Sequence, residues 1–304
     1  MPSYVIMGFA GLTLLACAAA TDPWPLWPKG AVPGEHAGAI GPEAPSFPLP
    51  DDEHITNVTW PTLTPYLLPA PVEGDSKGRG VVVVAPGGGY SILAWNKEGT
   101  DIAKWLNSIG LSALILKYRV PARDWLSFGE APLMDAQRAI SLVRQAATKQ
   151  PSLGIDPTRV GFIGFSAGGH LSAHLATTCS TAPQGRAYPK VDSADALSCR
   201  PDFSLLIYPW RLVEDEEHLN VTSAHPPAFL AQAEDDPAAP ILNCSLAYYR
   251  RLKEQGTPPS ELHIYPKGGH GYGRCTVGAS KTMTEEVCTW DQRAATFLKT
   301  IGAI

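Results

Sequence analysis

The chain has 304 residues, 44% of them hydrophobic and 17% charged, a globular composition with room for one large core or two small ones. Lys and Arg number 24 against 29 Asp and Glu, a formal net charge of -5, and no basic block is present, so nucleic acid is not an expected partner. The 28 Gly and 29 Pro stand above average usage but below the level of a disordered or collagen-like chain, and no repeat with a period of about 20 to 50 residues is visible, which removes solenoids and propellers.

In chain order, residues 1–20 carry no charged side chain, and Val5 to Ala20 is apolar or small throughout. The run is short for a bilayer span and closes in Ala18-Ala19-Ala20, so it reads as a signal peptide cleaved after Ala20. An uncleaved anchor is the alternative, and a lipoprotein reading through Cys17 fits poorly because Leu15 is bulky. No later segment reaches 18 unbroken apolar residues, so the expected mature protein is soluble, secreted or extracytoplasmic, and without stable membrane association. Twelve of the 29 prolines fall in residues 21–78, which rules out a helix bundle or a central sheet there and leaves extended turns and edge strands. This segment is expected to pack on a catalytic unit of residues 79–304.

That unit opens with Val81-Val82-Val83-Val84, a β-branched run of the kind a sheet buried on both faces requires. Further strands are expected at Ala113 to Tyr118, Val160 to Gly164, Ser204 to Tyr208, Ala228 to Ala233 and Leu262 to Tyr265. Helical periodicity separates them at Glu98 to Ser108, Leu133 to Thr148, Ala167 to Thr178, Ile241 to Gln255 and Glu285 to Leu298. In the second helix Ala136, Ala139, Ile140 and Val143 form the inward stripe, with Arg138 and Arg144 expected to face outward. Alternation of strands and helices implies a mostly parallel, doubly wound α/β sheet.

The strand ending at Ile163 runs directly into Gly164-Phe165-Ser166-Ala167-Gly168 and then a small-residue helix. Such a strand-to-helix turn strains its central residue, and glycines two positions either side let the neighbouring backbone pass, so Ser166 is the candidate nucleophile. A serine hydroxyl needs a base, and the base needs an acid to orient it. His270, in the glycine-rich loop after the Leu262 strand, is the candidate base. Asp236, after the Ala228 strand, is the candidate acid, with Asp235 as the alternative or as the cap of the following helix. Activity is expected to fall on acidification, because protonated His270 cannot accept the serine proton. Backbone N–H groups of Gly88, Gly89 and Ala167 are the candidate oxyanion donors. Tyr90, Trp95 and Tyr272 follow these loops and are candidates for the wall of the acyl pocket. His170 and His174 stand at i and i+4 on the helix after the elbow, but without the Glu of a zinc motif or a third ligand no metal is expected.

With Cys17 removed, Cys179, Cys199, Cys244, Cys275 and Cys288 remain, and an oxidising compartment favours disulfides. Spacing alone does not choose among the pairings. Cys275–Cys288 is expected to anchor the chain beyond His270 and Cys179–Cys199 to link the post-elbow helix to the next strand, leaving Cys244 as a buried helical thiol; pairing of Cys244 with one of these is the alternative. Asn57, Asn220 and Asn243 head N-x-S/T sequons, with Asn57 and Asn220 favoured because Asn243 reads as helical.

Taken with the segments PGGGY (86–90), GFSAGGHLSAHLA (164–176) and YPKGGHGYG (265–273), the chain resembles the α/β-hydrolase superfamily from about Trp24 to Ile301. Within it the sequence is similar to secreted esterase and lipase-like proteins related to acetylxylan esterases and to the bacterial feruloyl-esterase-like group. The resemblance implies Ser166 as nucleophile, Asp236 as acid and His270 as base, with PGGGY in place of an oxyanion loop that many members write HGGG. Pro86 replaces the leading His, and Ala238-Ala239 stand where many members carry branched residues. The activity expected is that of a secreted serine carboxylesterase cleaving short acyl groups, with acetylated xylan or a related sugar ester as the substrate class and no cofactor. The alternatives are a serine peptidase of the same fold, for which the chain offers no gating propeller repeat, and a non-catalytic recognition domain, which would be expected to lack one of the three residues.

Overall fold

The computed structural model describes residues 22–46, 52–70, 78–179, 185–213, 219–276 and 286–304. The expected signal peptide and Cys17 lie outside them. The strands are β1 (Trp24–Pro25), β2 (Ala44–Pro45), β3 (His54–Thr56), β4 (Thr62–Tyr66), β5 (Arg79–Ala85), β6 (Leu93–Ala94), β7 (Ser112–Lys117), β8 (Ile155–Phe165), β9 (Phe203–Ile207), β10 (Ala228–Ala233) and β11 (Ser260–Tyr265). The helices are α1 (Asp101–Ser108), α2 (Glu130–Lys149), α3 (Ala167–Thr178), α4 (Ser245–Glu254) and α5 (Trp290–Thr300). All six expected strands and five expected helices are present, with ends displaced by a few residues. Among the described residues no helix is long and apolar enough to cross a membrane.

The main sheet has the order β1-β4-β7-β5-β8-β9-β10-β11. From β7 through β11 the pairing is parallel, whereas β1 and β4 add an antiparallel edge drawn from the Pro-rich segment. Pro25 and Pro65 sit in these outer strands, where a missing N–H costs little. A second sheet of β2, β3 and β6 is antiparallel.

Alternation within β5 divides the core. Val81, Val83 and Ala85 face the layer of α2 and α3, where they meet Ile140, Val143, Leu171 and Leu175; Val82 and Val84 face Ile102, Leu106, Trp290 and Phe297 of α1 and α5. All these β5 side chains are completely buried, each valine contributing about 2 kcal/mol from area alone.

Arg138 corrects the outward reading of α2. It is 2% exposed, donates to Leu26 O at 3.0 Å and pairs with Asp192 and Asp195, because the N-terminal segment and the chain near residue 192 cover a helix face that periodicity marks as polar. Arg144 is also paired, with Asp202.

From β5 the chain moves one way to β7 and then crosses back to β8. The order reverses between β5 and β8, and loops from their carboxyl ends open a crevice there, as in other open α/β sheets.

Candidate active site

Ser166 adopts φ 51° and ψ -114°, a region that residues with a side chain rarely occupy. The turn is held at both ends. Its N–H donates to Ile207 O at 3.0 Å, and its carbonyl accepts from His170 N (3.0 Å) and Trp210 N (3.1 Å). A Cβ on Gly164 would stand 1.8 Å from Gly168 O, and one on Gly168 would stand 2.1 Å from Ala85 O. The elbow's glycines are therefore fixed by close backbone approach, as the motif predicts.

Loops after β10 and β11 converge on this turn. His270 Nε2 lies 2.8 Å from Ser166 Oγ and its Nδ1 2.7 Å from Asp236 Oδ2. With the Nδ1 proton donated to the carboxylate, Nε2 is left as acceptor for the serine hydroxyl. Asp236 is 4% exposed, and its Oδ1 accepts from the N–H groups of Ala238 and Ala239, both at 2.9 Å. The neighbouring Asp235 is exposed and turns elsewhere: its Oδ1 accepts from Gly268 N (2.9 Å) and Gly269 N (2.8 Å), in the loop that carries the histidine. The expected cap is thus reversed, with Asp236 capping the turn ahead and Asp235 bracing the His270 loop. Beneath them the buried Gln232 side chain bonds Ala239 O and accepts from Ser245 N, fixing the path after Asp236.

The His270 loop is anchored further along. Gly273 N donates to Tyr208 Oη at 3.0 Å, Trp290 Nε1 donates to Gly273 O at 2.7 Å, and Cys275 is bonded to Cys288. The second disulfide is Cys179–Cys199, and Cys244, buried, belongs to neither, in agreement with the expected pairing. Cys244 itself sits just ahead of α4 with φ -126° and ψ -104°, outside the helical region. Asn243, expected to be helical, closes a 3-10 turn and is exposed, as is Asn220, whereas the half-buried Asn57 donates its side-chain amide to Pro42 O.

Across the crevice, Gly87 N–H donates at 2.6 Å to Glu98 Oε2, which leaves Gly88 and Gly89 beside Ser166. Glu98 is buried and its other oxygen accepts from Tyr208 Oη at 2.8 Å. Burial raises this carboxyl above the usual carboxylate range, opposed by the hydrogen bonds from Tyr208 and Gly87. Burial likewise lifts Tyr208 and Tyr118 well above the ordinary phenol range, so both hydroxyls keep their protons. Tyr118 donates to Pro86 O at 2.5 Å. Glu98 and Tyr118 together hold the PGGGY loop that begins with proline instead of histidine. Neither is marked by a local motif, since Glu98 opens an expected helix that also carries Asp101 and Lys104, and Tyr118 ends an expected apolar strand.

The crevice has a volume of about 420 Å³ and is lined by Ser166, His270, Gly88, Gly89 and Glu98, with Ile92, Ala94, Ala238 and Trp210 as its apolar surface and Asp52, His54 and Lys97 at one side. Tyr90, Trp95 and Tyr272 do not line it. Tyr90 and Tyr272 are buried, their hydroxyls bonded to His170 Nδ1 (2.9 Å) and Ala231 O (3.3 Å), and the half-buried Trp95 packs against the core. The expectation failed because aromatics beside a loop were drawn inward by the apolar layers below it. His170 and His174 are buried with rings 4.3 Å apart, and no group of three metal-ligating side chains occurs among the described residues.

A family profile described as alpha/beta hydrolase fold matches residues 82–225. The chain is 31% identical over 226 residues, 66% of its length, to an acetylxylan esterase of Xylanibacter ruminicola, and 28% identical over 234 residues, 69% of its length, to endo-1,4-beta-xylanase B of Butyrivibrio fibrisolvens. It spans only 42% and 34% of those two proteins. Among solved structures it is similar to an acetyl ester-xyloside bifunctional hydrolase from Caldicellulosiruptor lactoaceticus, with TM-score 0.72 and 32% identity over 93% of this chain and 97% of that one.

Proposed function

The chain belongs to the α/β-hydrolase fold family, and we propose that it is a secreted serine carboxylic-ester hydrolase that removes short acyl groups, acetyl first among them, from xylan or a related sugar polymer. The observation that carries this reading is the unbroken hydrogen-bonded row Ser166–His270–Asp236, whose serine and histidine line a crevice together with Gly88 and Gly89.

In this mechanism Nε2 of His270 takes the Oγ proton as Ser166 attacks the ester carbonyl carbon, while Asp236 holds the ring and stabilises the imidazolium. The resulting oxyanion is met by the N–H of Ala167 at the head of α3 and by those of Gly88 and Gly89. Collapse breaks the bond to the alcohol, which leaves with the proton from Nε2. Water then gives its proton to His270 and attacks the acyl-serine, and the acid departs as Oγ recovers a proton. Because the row needs a neutral imidazole, turnover falls on the acid side.

The substrate class draws on the acetylxylan esterase and the acetyl ester-xyloside hydrolase, and the small crevice with a polar side suits a short acyl group on a hydroxylated alcohol. Export draws on the two disulfides and on the signal-like residues 1–20.

The test is hydrolysis of 4-nitrophenyl esters of increasing acyl length beside acetate release from acetylated xylan. Acetate and propionate esters are expected to lead and longer chains to fall away. The Ser166→Ala variant is expected to keep its fold and to lose at least a thousandfold in kcat, since alanine follows the same backbone; turnover above that level moves the nucleophile elsewhere.

A further inference from the structure

One side of the crevice is built from charged groups that the proton relay does not use. Asp52 stands two residues ahead of His54, the first residue of β3, and is 2% exposed. Its Oδ1 accepts from the backbone N–H of Lys97 at 3.0 Å, and its Oδ2 from His54 Nε2 at 3.0 Å, with Lys97 Nζ at 3.9 Å. The His54 and Lys97 side chains keep 18% and 15% of their surface exposed, and all three residues line the crevice with Ser166 and His270. Their placement is rigid. Pairing of β3 with β6 and a 2.8 Å bond from Trp95 N to Glu53 O lock the strand against the crevice wall. The stem of Lys97 packs on Gly273 in the His270 loop, where an added Cβ would lie 2.7 Å from Lys97 Cγ.

Burying a carboxylate beside an ammonium gains little stability over apolar packing, so a cluster like this in a crevice wall calls for a ligand that uses it. With Nε2–H given to Asp52, His54 keeps its second ring nitrogen, Nδ1, for a ligand hydroxyl, while the Lys97 ammonium has three protons to donate. The Lys97 charge is balanced by Asp52, which suits an uncharged ligand. Ammonium donors and a ring nitrogen set side by side match adjacent hydroxyl groups. An aliphatic chain laid there would strip these groups of water and return no hydrogen bond.

We propose that Asp52, His54 and Lys97, with Trp210 as the apolar face, form the subsite for the polyhydroxylated alcohol half of the ester. This rests on the ester-hydrolase reading and adds which part of the substrate is recognised, and by which residues. Asp52 and His54 belong to the Pro-rich segment, ahead of residues 82–225 matched by the family profile. Part of the alcohol subsite is therefore supplied by a segment separate from the one that carries the nucleophile, and Lys97 and Trp210 complete it from the matched residues.

The experiment compares kcat/KM for a monoacetylated methyl xyloside with kcat/KM for 4-nitrophenyl acetate in the wild type and in His54→Ala and Lys97→Met. The ratio of the two is expected to fall at least tenfold in each variant, chiefly through KM for the sugar ester. Because the readout is a ratio on one preparation, loss of folded protein cancels from it. A ratio that stays within threefold of wild type in both variants overturns the proposal. So does a loss that follows acyl length from 4-nitrophenyl acetate to butyrate, which would put the cluster on the acyl side. Failure of the parent reading looks different: the wild type turns over neither ester, or Ser166→Ala retains activity on 4-nitrophenyl acetate.

Discussion

Adjacent aspartates at the end of β10 face different partners, although their side chains are chemically identical. Asp236 is buried and bonded to His270 Nδ1, and Asp235 is exposed and bonded to two backbone N–H groups of the His270 loop. An amide at 236 presents either a weaker acceptor or an NH₂ donor to the ring, which favours the wrong tautomer. Asp236→Asn is thus expected to lower kcat by about 10³- to 10⁴-fold with little change in stability. Asp235→Asn keeps an acceptor oxygen for the loop and is expected to cost less than about tenfold. Steady-state kinetics of the two variants checks the ranking, and the reverse order would transfer the orienting role to Asp235. Glu98 belongs with them, since one buried carboxyl holds the glycine loop through Gly87 and the His270 loop through Tyr208.

Where α4 lies against β10 and β11, Tyr248 and Leu252 share an apolar cluster with Leu206, Ala228 and Leu230, and a histidine is enclosed at the margin. His225 is fully buried; its Nδ1–H donates to Pro226 O at 2.6 Å, so Nε2 accepts from Tyr248 Oη at 2.8 Å. Burial, aided by the Arg200 charge and opposed by the Pro226 carbonyl, pushes its pKa down to about 4 from an ordinary 6.5. Between these values the unfolded chain binds a proton that the folded one refuses. Stability is therefore complete above pH 6.5 and declines as pH falls through the window to about 4, by about 3 kcal/mol for this group. Denaturant midpoints at pH 7 and pH 4.5 are expected to show the decline in the wild type and a smaller one in His225→Gln. Equal declines in both would assign the acid sensitivity to other groups.

Three buried arginines join the Pro-rich segment to the α/β layers. Arg119 reaches Pro33 O, Arg123 chelates Glu35 and donates to Val58 O, and Arg138 donates to Leu26 O. Asp135 is central. Fully buried, it accepts from Trp27 Nε1 (2.8 Å) and from both the backbone N–H and Nε of Arg119. Removing its charge leaves the Arg119 guanidinium enclosed beside a neutral amide, so Asp135→Asn is expected to cost about 3 to 5 kcal/mol. Urea unfolding of wild type and variant measures the difference; a loss below about 1 kcal/mol would mean that the Asp135 charge does not hold the segment and that the other arginine links and apolar contacts do.

The β-branched run of β5, the periodicity of α2 and the elbow around Ser166 were legible because each is a local pattern imposed by backbone geometry, and Asp236 and His270 were found from their loops after predicted strands together with the family resemblance. Glycines 164 and 168 are demanded by contacts within one turn or with the adjoining strand, and the Cys275–Cys288 bridge spans only 13 positions. What remained hidden depends on which distant segment folds over a given face. Arg138 read as a surface residue until Leu26, 112 positions away, covered it. Glu98 meets Tyr208 across 110 positions, and Tyr90 meets His170 across 80, which turns the former toward the crevice and the latter away from it. The partition of Asp235 from Asp236, and the crevice wall of Asp52 and His54, follow likewise from long-range closure. Hydrophobic period and turn chemistry are written within a few residues, whereas satisfying a buried polar group requires a partner that the fold alone brings within reach.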